Sequence, residues 1–127
     1  MNTFLIDTHI ILWWFDDDGR LGSSAKSIIA DGSNTVFLSI ASLWEIAIKH
    51  GQEKLALNAG LVASRLPELG IQVLPINTTH LSALEQLPMH HRDPFDRLLI
   101  SQSLVEKATL ITADSKIPQY GIPCLPA

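Results

Sequence analysis

Four short runs of apolar, β-favouring residues punctuate the chain: TFLI at 3–6, TVFLS at 35–39, IQVLPI at 71–76 and ATLITA at 108–113. None alternates cleanly between polar and apolar positions, which is how strands covered on both faces read. Between them, apolar residues recur at helical spacing and predict helices over 9–15, 23–31, 41–51, 59–69, 78–86 and 94–107. Strands alternating with helices imply an α/β fold with a mainly parallel sheet, and a last short strand after Pro123 would make it roughly five-stranded. Punctuation agrees: Gly19 and Gly22 precede the N-cap candidates Ser23 and Ser24, while Gly32, Gly51 and Gly70 stand where helices should stop.

Composition narrows the class. A chain of 127 residues fits one domain, 1–127, with room for a real core. Hydrophobic residues make up 46% and charged residues 17%, which excludes disorder and reserves apolar surface for a partner, so oligomerisation is expected. A net charge of −4 argues against a nucleic-acid coat protein, which gains affinity by neutralising many phosphates, but leaves a nucleic-acid enzyme open. Cys124 is the single cysteine, so neither an intrachain disulfide nor a cysteine-based zinc site can form. The opening MNTFLIDTHIILWWF lacks a basic start and a cleavage site, and no stretch has the roughly 18 uncharged apolar residues of a membrane span. The expected location is cytoplasmic.

The candidate chemistry lies in four acids. Ligands of a parallel α/β sheet bind beyond the carboxyl ends of its strands. Asp7 directly follows the first strand and Asp114 follows TLITA; if those strands are neighbours, both carboxylates face one crevice. Glu45 sits in a helix whose neighbours Leu43, Trp44, Ile46, Ala47 and Ile48 are apolar, a costly place for a carboxylate without a compensating partner. Asp96 opens the helix that feeds the strand before Asp114. Converging carboxylates repel one another unless they take up protons or bind cations, and an all-oxygen set suits Mg²⁺, with Mn²⁺ as a substitute. Two such ions about 3.5–4 Å apart would suit phosphodiester hydrolysis, one activating water and one stabilising the leaving oxygen. Ser39 and Thr112, at strand ends beside the acids, are candidates for holding carboxylates or water, with Thr8 a weaker one.

The stretches FLIDTHIILW, SIASLWEIAIKHG, HRDPFDRLLISQS and LITAD, in this order, resemble the PIN-domain ribonucleases almost end to end, and most closely the VapC-type toxins of toxin–antitoxin pairs. The resemblance implies a three-layer α/β/α sandwich, Mg²⁺-dependent endoribonuclease activity on RNA, a homodimer and neutralisation by a cognate antitoxin protein. Carried across position by position, the family's acidic quartet falls on Asp7, Glu45, Asp96 and Asp114 as catalytic and metal-binding residues. Two other readings stand beside it. A catalytically silent module binding protein or RNA would use the same acids without turnover. A Mg²⁺-dependent phosphatase of the haloacid-dehalogenase type also places an Asp after its first strand, but wants a second acid two residues on, where this chain has His9.

Other residues carry weaker signals. Asp93 reads as a helix N-cap and Pro94 as its first residue. Arg92, Arg97, Lys49 and Lys116 are candidates for RNA phosphate contacts. His90 and His91, being adjacent, do not share a helix face and read as surface or RNA contacts; His9 is left out of the site. Asp16, Asp17 and Asp18 read as a solvated loop. Trp13, Trp14 and Trp44 read as core or interface packing, and because Trp13 and Trp14 are neighbours, one of them is expected to meet a partner chain.

Overall fold

The computed structural model describes residues 2–89 and 93–127. In chain order the elements are β1 (Thr3–Ile6), α1 (Thr8–Phe15), α2 (Ser23–Ala30), β2 (Thr35–Ser39), α3 (Ile40–Gly51), α4 (Ala59–Arg65), β3 (Ile71–Leu74), α5 (Thr78–Glu85), α6 (Pro94–Glu106), β4 (Thr109–Thr112) and β5 (Cys124–Pro126). Short 3-10 turns at Pro67–Leu69 and Ile117–Tyr120 precede β3 and β5. The five strands form one sheet in the order β3-β2-β1-β4-β5, and every neighbouring pair is parallel.

Both faces of the sheet are covered, as the unalternated strands require. Phe4, Ile6, Val36, Leu38 and Ile111 pack on one side with Ile10, Ala25, Ile29, Leu43, Ile46 and Val62 from α1 to α4. Leu5 and Leu110 point to the other side, under Leu98, Leu99 and Ile100 of α6. Consecutive strand residues thus feed opposite cores, giving a three-layer α/β/α sandwich. Burial of each such Leu or Ile contributes about 1.5–3 kcal/mol, so the three inner strands β2, β1 and β4 anchor everything beside them. Among the described residues no helix is long and apolar enough to cross a membrane.

Backbone chemistry explains where the predicted boundaries shift. The helix expected over 59–69 ends at Arg65, because Pro67 cannot donate to the helical ladder and starts a 3-10 turn instead. Gly70, at φ 71°, closes that turn in the left-handed region that glycine adopts without strain. The strand expected over 71–76 stops at Leu74, before Pro75, which has no N–H for the sheet. Gly22, not Ser23 or Ser24, is the N-cap of α2, and no side chain caps that helix.

Two polar clamps seat α6. At its start Asp93 Oδ1 accepts from the Phe95 and Asp96 amides at 2.9 and 3.4 Å, with Pro94 in the first helical position. Near its end Glu106 Oε2 lies 2.8 Å from Nε2 of His80, a fully buried residue of α5. Nδ1 of His80 accepts from the Asn77 amide at 3.1 Å, so Nε2 carries the ring proton and donates to Glu106. Asp93→Ala removes the cap that starts α6 and should cost about 1 kcal/mol of stability; an unchanged urea midpoint would show that the cap is not holding the helix.

Candidate active site

The chain runs β1, β2, β3 outward in one direction and then returns to add β4 and β5 on the other side of β1. The gap beyond the carboxyl ends of β1 and β4 is therefore the switch point of the sheet, where crossover connections diverge and leave a crevice. Register levels the strand ends: Ile6 pairs with Leu38 on one side and with Ile111 on the other. The Asp7 amide extends the ladder by donating to the Ile111 carbonyl at 3.1 Å. Asp7, Ser39 and Thr112 consequently stand in one row.

An open cleft of about 290 Å³ lies here, and Asp7, Asp96 and Asp114 all line it, together with His9, Trp13 and Arg20. Asp7 is buried, 4% exposed, and caps α1 by accepting from the Ile10 amide at 3.2 Å. Desolvation pushes its carboxyl above the ordinary value of 3.8, against the opposing pull of hydrogen bonds from the Thr112 hydroxyl and the Ile10 and Ala113 amides and of the nearby His9. Thr112 also accepts from the Asp114 amide at 3.0 Å, so one hydroxyl ties the two acidic strand ends together. Asp114 Oδ1 in turn accepts from the Lys116 amide at 2.8 Å, closing an Asx turn that fixes the carboxylate's direction. Asp96 enters from the first turn of α6, aimed by the Asp93 cap.

Glu45 is not among the residues that line the cleft. Buried at 8% exposure, it accepts from the Thr8 hydroxyl at 2.7 Å and pairs with Lys49 Nζ at 3.0 Å, one helical turn on. Thr8 Oγ1 also lies 3.0 Å from Ser42 Oγ; a hydroxyl has one proton, and the shorter contact to a carboxylate takes it, leaving Ser42 to donate to Thr8. Thr8 and Lys49 are thus polar partners of this buried carboxylate. Ser39 caps α3, its hydroxyl accepting from the Ala41 amide at 2.9 Å.

Of the cations expected to meet phosphate, Lys49 is engaged with Glu45. Arg97 is turned away, donating to the Pro88 carbonyl at 2.9 Å and the Tyr120 hydroxyl at 3.2 Å. Lys116 is exposed beside Asp114. Arg92, His90 and His91 lie outside the described residues. Trp13 and Trp14 both pack, half-buried, against the same core cluster, Trp13 towards the cleft and Trp14 towards Arg65 and Leu69. Trp44, expected in core or interface packing, is 57% exposed and so does not belong to the core; its ring stands edge-on to Phe95 at 5.0 Å.

Sequence reasoning missed His9, Trp13 and Arg20 as cleft residues. The available signal was position: His9 and Trp13 lie within the first two turns of a helix capped by Asp7, one turn apart on one face. Arg20 gave none, since only the folded loop after α1 returns it to the crevice. Asp18 is likewise more than a solvated acid: hydrogen bonds from the Arg20 side chain and amide hold its pKa down at about 2.

No three His, Cys, Asp or Glu side chains among the described residues already stand close enough to share one ion. The donor set nevertheless fits a hard divalent cation. It is all carboxylate, its most buried member resists ionisation for want of compensation, and Mg²⁺ keeps several waters while taking only one or two carboxylates directly.

The chain belongs to the PIN-domain family, whose model matches residues 4–123. Ribonuclease VapC22 of Mycobacterium tuberculosis is 28% identical over 126 residues, spanning 97% of this chain and 95% of that protein. VapBC2 from Rickettsia felis, solved bound to a DNA fragment from its promoter, matches with a TM-score of 0.72 and 16% identity over 98% of each chain. VapBC-1 from nontypeable Haemophilus influenzae matches with a TM-score of 0.68 and 15% identity over 98% of this chain and 97% of that one.

The raised pKa of Asp7 makes a signed prediction. Because the folded state favours the protonated acid, its ionisation costs stability, and the cost grows as pH rises from the ordinary value of 3.8 through the raised one. Asp7→Asn keeps the capping oxygen and removes the charge. In EDTA the variant should melt above the parent at pH 7, with the gap closing as pH approaches 3.8; a gap that is constant with pH would contradict the assignment.

Proposed function

We propose that this protein is a divalent-metal-dependent endoribonuclease, the toxin of a toxin–antitoxin pair, hydrolysing RNA phosphodiester bonds by a two-metal mechanism. The observation that carries the reading is the desolvated Asp7 carboxylate sharing a cleft with Asp96 and Asp114 at the switch point of a PIN fold. The name of the ribonuclease VapC22 supports the substrate class, and the VapBC neighbours support an antitoxin partner.

Asp7, Asp96 and Asp114 would hold Mg²⁺, or Mn²⁺ in its place, with Glu45 joining once it exchanges Lys49 for the cation. When bound, the cations would lower the pKa of the attacking water and offset the charge that develops on the leaving oxygen. The chain supplies the rest. Thr112 and the Asx turn at Asp114 orient two carboxylates, and the Asp93 cap orients the third, so that alignment is set before substrate arrives. The buried Ile6, Ile10 and Ile111 beside Asp7 reduce the solvation of that carboxylate.

Asp7→Asn and Asp96→Asn should each lower RNA cleavage at least about a hundredfold while preserving the fold, and EDTA should abolish it; full cleavage by both variants, or in EDTA, would sink the proposal. RNA binding without turnover by the wild-type protein in Mg²⁺ or Mn²⁺ would favour the catalytically silent module instead.

We further propose a homodimer. Ile40, Trp44 and Ile48 recur every four residues along α3 and are 40%, 57% and 37% exposed, an apolar stripe of the kind that marks a protein interface. Light scattering should give a dimer mass for the wild-type protein and a monomer mass for Trp44→Glu; a wild-type monomer, or a dimer indifferent to the charge, would remove this part.

A further inference from the structure

Three further side chains line the cleft beside the carboxylates, and they are arranged together. Arg20 Nε lies 3.1 and 3.2 Å from the two Asp18 oxygens, and Nη2 donates to Oδ2 at 2.7 Å. Asp18 is itself fixed by the Arg20 amide at 2.9 Å. A guanidinium carries five N–H donors in one plane. Asp18 engages the Nε–Nη2 side, which leaves the paired N–H groups of the terminal Nη1–Nη2 edge to face elsewhere. The plane is also stacked, its central carbon 4.7 Å from the centre of the Trp13 ring. On the same ring lies His9, its centroid 5.8 Å away and tilted by 45°.

This arrangement is unusual for its exposure. The Arg20 side chain is 69% exposed, and a long cationic side chain so placed ordinarily samples many rotamers. Here a carboxylate and an indole hold it at the rim of the cleft. Arg20 is also the sole Lys or Arg lining that cleft among the described residues. A polyanionic strand approaching three carboxylates on a protein of net charge −4 meets repulsion, and a fixed guanidinium at the rim offsets it where the strand must pass. Pre-ordering lowers the entropy cost of binding, and a planar donor edge matches two phosphate oxygens.

On the ribonuclease reading above, we infer that Arg20 binds the phosphate next to the scissile bond and that His9, backed by Trp13, lies against the adjoining nucleobase. Asp18 is a positioning residue that turns the guanidinium towards the strand. The ligand class is a single-stranded segment of RNA, since a base must be unpaired to reach an aromatic face.

The test uses Asp7→Asn protein, which should bind without cutting, and a fluorescein-labelled single-stranded RNA oligonucleotide titrated by anisotropy over a range of salt. Adding Arg20→Gln should weaken binding about tenfold and reduce the slope of log affinity against log salt by about 0.7, the value for one single-strand phosphate. Arg20→Lys, which keeps the charge without the fork or the stack, should weaken binding while retaining the slope. His9→Ala should weaken binding severalfold, also with the slope unchanged. In otherwise wild-type protein Arg20→Gln should raise KM more than it lowers kcat, at an unaltered melting temperature. Unchanged affinity, slope and KM in Arg20→Gln, with wild-type cleavage intact, would overturn this inference alone. Absence of both cleavage and binding in the wild-type protein would overturn the ribonuclease reading and this inference with it.

Discussion

One constraint organises the molecule: a carboxylate buried at the end of the central strand. Asp7 follows β1 in the middle of the sheet, 4% exposed, with apolar layers beneath it. Such a group is stable only if the surroundings offer donors, protons or a cation. The fold supplies donors up to a point, through the amides of Ile10 and Ala113 and the Thr112 hydroxyl, and desolvation still outweighs them. That residual imbalance is a driving force for taking up positive charge, and it exists because the strand cannot end anywhere else without breaking register with β2 and β4.

The other acids answer the same problem in different ways. Glu45 is nearly as buried but has Thr8 and Lys49 as partners, so its charge is already compensated. Asp114 spends one oxygen on an Asx turn, and Asp96 takes its place in the first turn of α6, where the helix dipole favours a negative charge. Capping and turn chemistry are thus not alternatives to function in this chain. Asp7 caps a helix with the same side chain that lines the cleft, and Asp93 caps another so that Asp96 points inward.

The rim has a different logic from the floor. Asp18, Arg20, Trp13 and His9 form a row of pairwise contacts across the loop after α1 and its first two turns. Arg20 and His9 are exposed and Asp18 and Trp13 only partly buried, so each contact is weak alone. Together they restrict one arginine to one direction. The acidic composition of the chain, which argues against binding nucleic acid by bulk charge, is compatible with binding it through a single well-placed cation.

Much of this was legible in sequence because the signals are local. Unalternated apolar runs identified the buried strands, and the order of strands and helices identified a parallel sheet. Acids placed directly after strands pointed to the edge where Asp7 and Asp114 share a cleft. Prolines at 67 and 75 trimmed a helix and a strand where the pattern of apolar residues ran on, an effect of missing N–H groups that periodicity does not register. What the sequence could not determine was which charges pair. Lys49 reads in sequence as a candidate phosphate contact but pairs with Glu45 one turn away, and only the packing of α1 against α3 brings Thr8 to the same carboxylate. Arg97, a candidate for phosphate, is drawn away to the Pro88 carbonyl and Tyr120, whereas Arg20, which carries no such signal in sequence, is returned to the cleft by a loop. Apolar burial is read from spacing along the chain, whereas the direction of a long charged side chain depends on partners distant in sequence, and those partners exist only once the sheet has set its strand order.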